Sequence, residues 1–133
     1  MKKNILVDMS CTLLHHGHIE ILKKASKLGK VIVALTTDKE IKKKKGYIPE
    51  INYKNRMKIL RSIKYVNKVV PSKWNINDNF VKKYKIDFLV HGKDNKNYVK
   101  NVRKKIFNRT KGISSSQLRY KAYKIYKLIN EKK

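Results

Sequence analysis

The chain has 133 residues, enough for one domain with a single core and too few for two. Its 35 Lys and Arg against 9 Asp and Glu leave a formal net charge of +26 at pH 7, so it attracts polyanions. No apolar run is long enough to cross a bilayer, which excludes a membrane-spanning helix. The N-terminal apolar stretch is broken at Asp8 and carries no small-residue cleavage site, which argues against a signal peptide. Cys11 is the only cysteine, so no intrachain disulfide can form and a reducing cytoplasm is the expected compartment. The lysines are spread along the whole chain among many Asn, Ile and Tyr, the pattern of a compositional bias at solvent positions. A nucleic-acid face would instead concentrate them in a stripe.

Ile5-Leu6-Val7 reads as a short buried strand, and Ile21, Leu22, Ala25 and Leu28 then recur at helical spacing up to Gly29. Between them lies Cys11-Thr12-Leu13-Leu14-His15-His16-Gly17-His18. A strand feeding straight into a helix leaves the first backbone N–H groups unpaired at the junction, where they and the helix dipole favour an anion. His15 and His18, three residues apart, project from one side of the first turn, and Gly17 lets a phosphate approach the backbone. A lone histidine here would be an ordinary solvated residue. The cluster also raises a Zn site, but no Cys, Asp or Glu at ligand spacing completes one, so no metal is assigned to protein groups.

Val31-Ile32-Val33-Ala34-Leu35 is a second strand, ending at Thr36-Thr37-Asp38. Strand, helix and strand form a βαβ unit with a right-handed crossover, whose ligand crevice lies beyond the carboxyl ends of the strands. Lys42-Lys43-Lys44-Lys45-Gly46 reads as a solvated, mobile loop from which Lys45 can reach phosphates. Tyr53 to Lys64 predicts a helix with Met57 and Leu60 inward, and Arg56 either solvated or turned into the crevice. Val66 to Val70 predicts a third strand closed by Pro71. Trp74 sits in a polar loop, as a packing lid or a ligand contact. Asn77 to Tyr84 predicts a short helix. Asp87 to Val90 predicts a fourth strand delivering Gly92 and Asp94 to the crevice edge, where Asp94 contacts ligand or forms a turn.

Ile106-Phe107 is a weak fifth strand, followed by Arg109-Thr110-Lys111-Gly112-Ile113-Ser114-Ser115-Ser116. Ser114 with Gln117 forms a capping box, after which Leu118, Ala122, Ile125 and Ile129 share one helix face. This start is a second anion site, with serine hydroxyls and Arg109 added to the free N–H groups. The expected fold is a single α/β domain over residues 1–133, a Rossmann-like five-stranded parallel sheet with flanking helices.

His15-His16-Gly17-His18, with Ile113-Ser114-Ser115-Ser116 and Arg119, resembles the two motifs of the HxGH nucleotidyltransferase superfamily. Within it the chain is most similar to cytidylyltransferases of the glycerol-3-phosphate type. The likeness spans nearly the whole chain, through Thr36-Thr37-Asp38, Lys45-Gly46, Arg56, Trp74 and Arg109-Thr110. It implies transfer of CMP from CTP to a small phosphorylated alcohol, with Mg²⁺ arriving on the triphosphate and a homodimer as the assembly. By that resemblance His15, His18, Lys45 and Arg109 are the catalytic groups. Ser10, Cys11, Gly17, Gly92, Asp94, Thr110, Ser114, Ser115 and Ser116 would bind the nucleotide and its phosphates, and Thr12, Arg56, Lys64 and Trp74 would face the acceptor. Three positions depart from the family pattern: Thr12 replaces an acidic residue, Lys64 an arginine and Tyr47 a lysine. A neutral Thr12 weakens the case for glycerol 3-phosphate, and phosphonates, phosphocholine or phosphoethanolamine are alternative acceptors. The reading from another class, a non-catalytic nucleic-acid-binding module, leaves His15, Gly17 and His18 unexplained.

Overall fold

Ile5, Leu6 and Val7 are fully buried because the strand that carries them, β1 (Asn4–Met9), is covered on both faces. The structure, a computed structural model, describes residues 2–92, 99 and 101–131. β2 (Lys30–Thr36) and β3 (Lys68–Ser72) extend the sheet on one side of β1, and β4 (Phe88–Gly92) and β5 (Arg103–Phe107) on the other. The order is β3-β2-β1-β4-β5 and every pairing is parallel, with Val7 beside both Val33 and Val90. This is the expected Rossmann-like sheet. Because side chains alternate along a strand, Ile5 and Val7 join Leu22 and Ala25 of α1 (His16–Ser26) and Leu60 of α3 (Tyr53–Arg61). Leu6 joins Ile32, Ala34 and Val81 of α4 (Asp78–Lys83) on the opposite face. The chain order reverses between β1 and β4, so the ligand crevice opens at their carboxyl ends.

Several local expectations change. Lys42 to Lys45 is not a loop but the last turn of α2 (Asp38–Lys45). Thr37 caps this helix, acidic Asp38 and Glu40 stand in its first turn, and the lysines at its C-terminal end suit the dipole. Gly46, at φ +80°, ends it in the left-handed conformation. The strand placed at 66–70 runs instead through Pro71 to Ser72, tolerated because β3 is a sheet edge and its outer side needs no N–H donor. The weak fifth strand is longer than its two apolar residues suggested, because an edge strand can be built from Arg103, Lys104 and Lys105. The last helix, α5 (Ser115–Glu131), has no buried residue, and Ile125 and Ile129 remain exposed. No helix among the described residues is long and apolar enough to cross a membrane.

Arg56 is also corrected: it does not enter the crevice. It is 1% exposed and sits beneath the carboxyl ends of β1 and β2. Its Nε donates to the Ile51 carbonyl at 3.0 Å, and its Nη1 to the carbonyls of Ser10 at 2.6 Å and Thr36 at 2.9 Å. Nη2 pairs with Asp38 Oδ1 at 2.6 Å. Removing the guanidinium strands three carbonyls and a carboxylate, so Arg56→Ala is expected to cost about 3 kcal/mol of stability. Urea denaturation at pH 7 measures this, and a loss under about 1 kcal/mol would show that the carbonyls find other donors.

Candidate active site

Where β1 ends, the chain turns through Cys11 at φ +49°, a left-handed conformation that a residue with a side chain holds only when its surroundings impose it. Arg56 supplies that constraint through the Ser10 carbonyl. Burial pushes the Cys11 thiol up to about 12, against the nearby Arg56 charge, so the thiol stays protonated. His15 follows as the N-cap of α1, with extended backbone. Gly17 N–H donates to His15 Nδ1 at 3.0 Å, and His15 N–H donates to His18 Nδ1 at 3.2 Å.

Each imidazole therefore spends Nδ1 as an acceptor, which puts the proton of the neutral ring on Nε2. The rings lie 4.0 Å apart between centroids. Burial lowers the His18 pKa to about 3, helped by the charges of His15 and Arg109. Burial likewise lowers His15, followed by the charges of His16 and Arg109. The result is two neutral N–H donors side by side. A Cβ at Gly17 would lie 2.8 Å from His15 Cε1, so glycine is what lets the capping imidazole fold over the helix start.

These rings line a cleft of about 740 Å³ beyond the strand ends. Ser10, Cys11, Thr12 and Gly17 reach it from the loop after β1, together with the first turn of α1. Lys45 enters from the end of α2, with its ammonium 5.6 Å from the Trp74 ring centroid. Trp74 is seated in turn by a backbone bond to Glu40 at 2.9 Å. Gly92 lies at the end of β4 beside Arg109, where a Cβ would sit 3.8 Å from Arg109 Cγ. Arg109, Thr110, Ser114, Ser115 and Ser116 line the wall between β5 and α5.

Two of these hydroxyls have structural work as well. Ser114 Oγ accepts from Gln117 N–H at 3.0 Å, and Ser115 Oγ donates to the Leu13 carbonyl at 3.0 Å. The second contact fastens the start of α5 to the histidine loop. Lys64 does not line the cleft; it is exposed beyond α3, over the Tyr65 ring. Asp94 lies outside the described residues.

Sequence reasoning missed Glu50, and it took Arg119 only as part of a motif. Arg119 forms a bidentate pair with Glu50, donates to Thr12 Oγ1 at 3.1 Å and lies 4.8 Å from the Tyr47 ring centroid. The available signal was a lone carboxylate, Glu50, in a strongly basic stretch. Among the described residues no cluster of His, Cys, Asp and Glu could hold a metal ion. Cationic side chains, two helix starts and two neutral imidazole donors surround one cleft, an arrangement suited to a polyphosphate and to charge developing on it.

The cytidylyltransferase-like family model matches residues 12–121. The chain is 36% identical over 129 residues to the glycerol-3-phosphate cytidylyltransferase of Staphylococcus aureus, covering 91% of this chain and 96% of that protein. It is 30% identical over 126 residues to the ethanolamine-phosphate cytidylyltransferase of Dictyostelium discoideum, covering 86% of this chain and 35% of that protein. Among solved structures, the lipopolysaccharide core biosynthesis protein of Thermoplasma volcanium matches with a TM-score of 0.69 at 22% identity. That match covers 85% of this chain and 100% of the other, and it is a likeness of fold.

The depressed His18 pKa carries a sign for stability. Above pH 6.5 the ring is neutral folded and unfolded, and it costs nothing. Below that value the unfolded chain takes up a proton that the fold refuses, so stability falls until the pH approaches about 3. His18→Asn keeps an oxygen that can accept the His15 N–H and should lose less stability than the parent between pH 7 and 4.5. Urea midpoints at the two pH values test this, and equal losses would contradict a neutral His18.

Proposed function

The chain belongs to the cytidylyltransferase-like family, and from that premise we propose that it transfers CMP from CTP to a small phosphate-bearing alcohol. The observation that carries the reading is the convergence of two helix starts, one bearing His15 and His18 and the other Ser114 to Ser116, on a single cationic cleft. An oxygen of the acceptor's phosphate attacks the α-phosphorus of CTP. The bond from that phosphorus to the bridging oxygen breaks, and pyrophosphate leaves. The attacking oxygen is already an anion, so no side chain has to remove a proton from it.

Catalysis then rests on alignment and on charge stabilisation at a crowded phosphorus. In this reading the Nε2–H groups of His15 and His18 donate to the α-phosphate oxygens as negative charge accumulates there. Lys45 and Arg109 hold the outer phosphates, while Thr110, Gly92 and the α5 start seat the nucleotide. Thr12 and Trp74 face the acceptor. Among the described residues, Asp8 and Glu20 are the carboxylates that line the cleft, which fits Mg²⁺ held by the phosphates themselves. Bound in that way, the ion would supply neutralising charge to the triphosphate.

The relatives' names point to glycerol 3-phosphate and ethanolamine phosphate as acceptors to try first, with phosphocholine and 2-aminoethylphosphonate beside them. The reading extends to a cytoplasmic homodimer. Its support is the single unpaired cysteine and the exposed apolar residues of α5, which offer a surface to a second copy.

Pyrophosphate release, measured with CTP or ATP and each acceptor in turn, tests the reaction; activity with ATP and none with CTP would overturn it. Losing one preorganised donor costs about 3 kcal/mol of transition-state stabilisation, on the order of a hundredfold in rate. His18→Ala should therefore fall at least that far in turnover while remaining folded by circular dichroism. Near-normal turnover in that variant would remove His18 from the mechanism.

A further inference from the structure

The connection from Gly46 to Asn52 joins α2 to α3 and is pinned at its far end. There the Ile51 carbonyl accepts from Arg56, and Tyr53 N–H donates to Asp38 at 2.9 Å. Glu50 stands beside that anchor and reaches across to α5. Arg119 donates to it from Nε and, at 2.8 Å, from Nη2. A two-point fork of this kind fixes the plane of the guanidinium, whereas a single contact would let it swing.

Nη2 also donates to Thr12 Oγ1 at 3.1 Å. Nε and Nη2 are thus both engaged, and the guanidinium carbon stands 4.8 Å from the ring centroid of Tyr47, which lines the cleft with Arg119. Thr12 and Arg119 line the cleft and Glu50 does not. Arg119 and Glu50 are 31% and 43% exposed, and ion pairs so exposed contribute little to folding. What this pair supplies is orientation. A carboxylate at position 12 would neutralise Arg119 from inside the cleft. Supplied from position 50, the same charge sits on the outer edge and leaves the inner edge cationic.

Resting on the CMP-transfer reading, in which Thr12 faces the acceptor, we infer that Glu50 is a positioning residue for the acceptor subsite. It locks Arg119 across Thr12 so that the guanidinium serves the acceptor's phosphate and not the triphosphate.

Steady-state kinetics of Glu50→Gln in the full chain test this, with whichever of glycerol 3-phosphate and phosphoethanolamine the parent uses. The acceptor KM should rise about tenfold while the CTP KM stays within about twofold, and the thermal midpoint should not move. In an Arg119→Lys background, adding Glu50→Gln should change the acceptor KM little further, because the fork is already gone. An unchanged acceptor KM, or an equal rise for CTP, overturns the inference while the transfer reading stands. A parent chain that releases no pyrophosphate from CTP with any acceptor overturns the transfer reading, and this inference with it.

Discussion

The Arg56 guanidinium, buried where β1 and β2 end, holds together segments that are far apart in the chain. Parallel strands that stop at the same edge leave carbonyls facing a loop region with no further strand to satisfy them. A planar group with five donors can serve several such carbonyls at once, and an ammonium could not match that spread. Through the Ser10 carbonyl, Arg56 sets the turn at Cys11 that delivers His15 to the head of α1. Through Ile51 and Asp38, it sets the entry to α3 and the connection that carries Glu50. The cleft is thus organised by a residue that never reaches it.

The parts of this architecture that depend on local pattern were legible in the sequence. Ile5-Leu6-Val7 and Val31 to Leu35 are continuous apolar runs because both sheet faces are covered, and the His15-to-His18 turn advertises its anion site through residue spacing alone. What stayed hidden depends on tertiary company. One exception is local: four consecutive lysines look like solvated loop, although the Thr37 cap and the acidic first turn just before them mark a helix that they close. Arg56 reads equally well as a ligand contact, since nothing local announces that three carbonyls from distant segments need it. Glu50 and Arg119 are 69 residues apart, and no periodicity links them. The apolar face of α5 was legible as a face, while its exposure within this chain was not, because periodicity alone does not say what an apolar face packs against.

The capping role of the two histidines also decides their electrical character. By accepting backbone N–H groups at Nδ1, both rings are committed to the neutral tautomer that donates from Nε2, and their surroundings reinforce the choice. In the proposed reaction the phosphorus would therefore meet polarised but uncharged donors, with the full positive charges of Lys45 and Arg109 lining the same cleft.

That division bears on how the cycle closes. A chain carrying a net charge of +26 risks holding a small polyanion after the reaction is over. Imidazolium groups in the cleft lining would deepen that trap and slow product escape, a step that often limits turnover. Uncharged rings would gain their hold only while negative charge builds up at the transferred group and would relax it afterwards. Under the proposed reaction, a cap formed by His15 and His18 at the start of one helix would thereby become a means of letting pyrophosphate go.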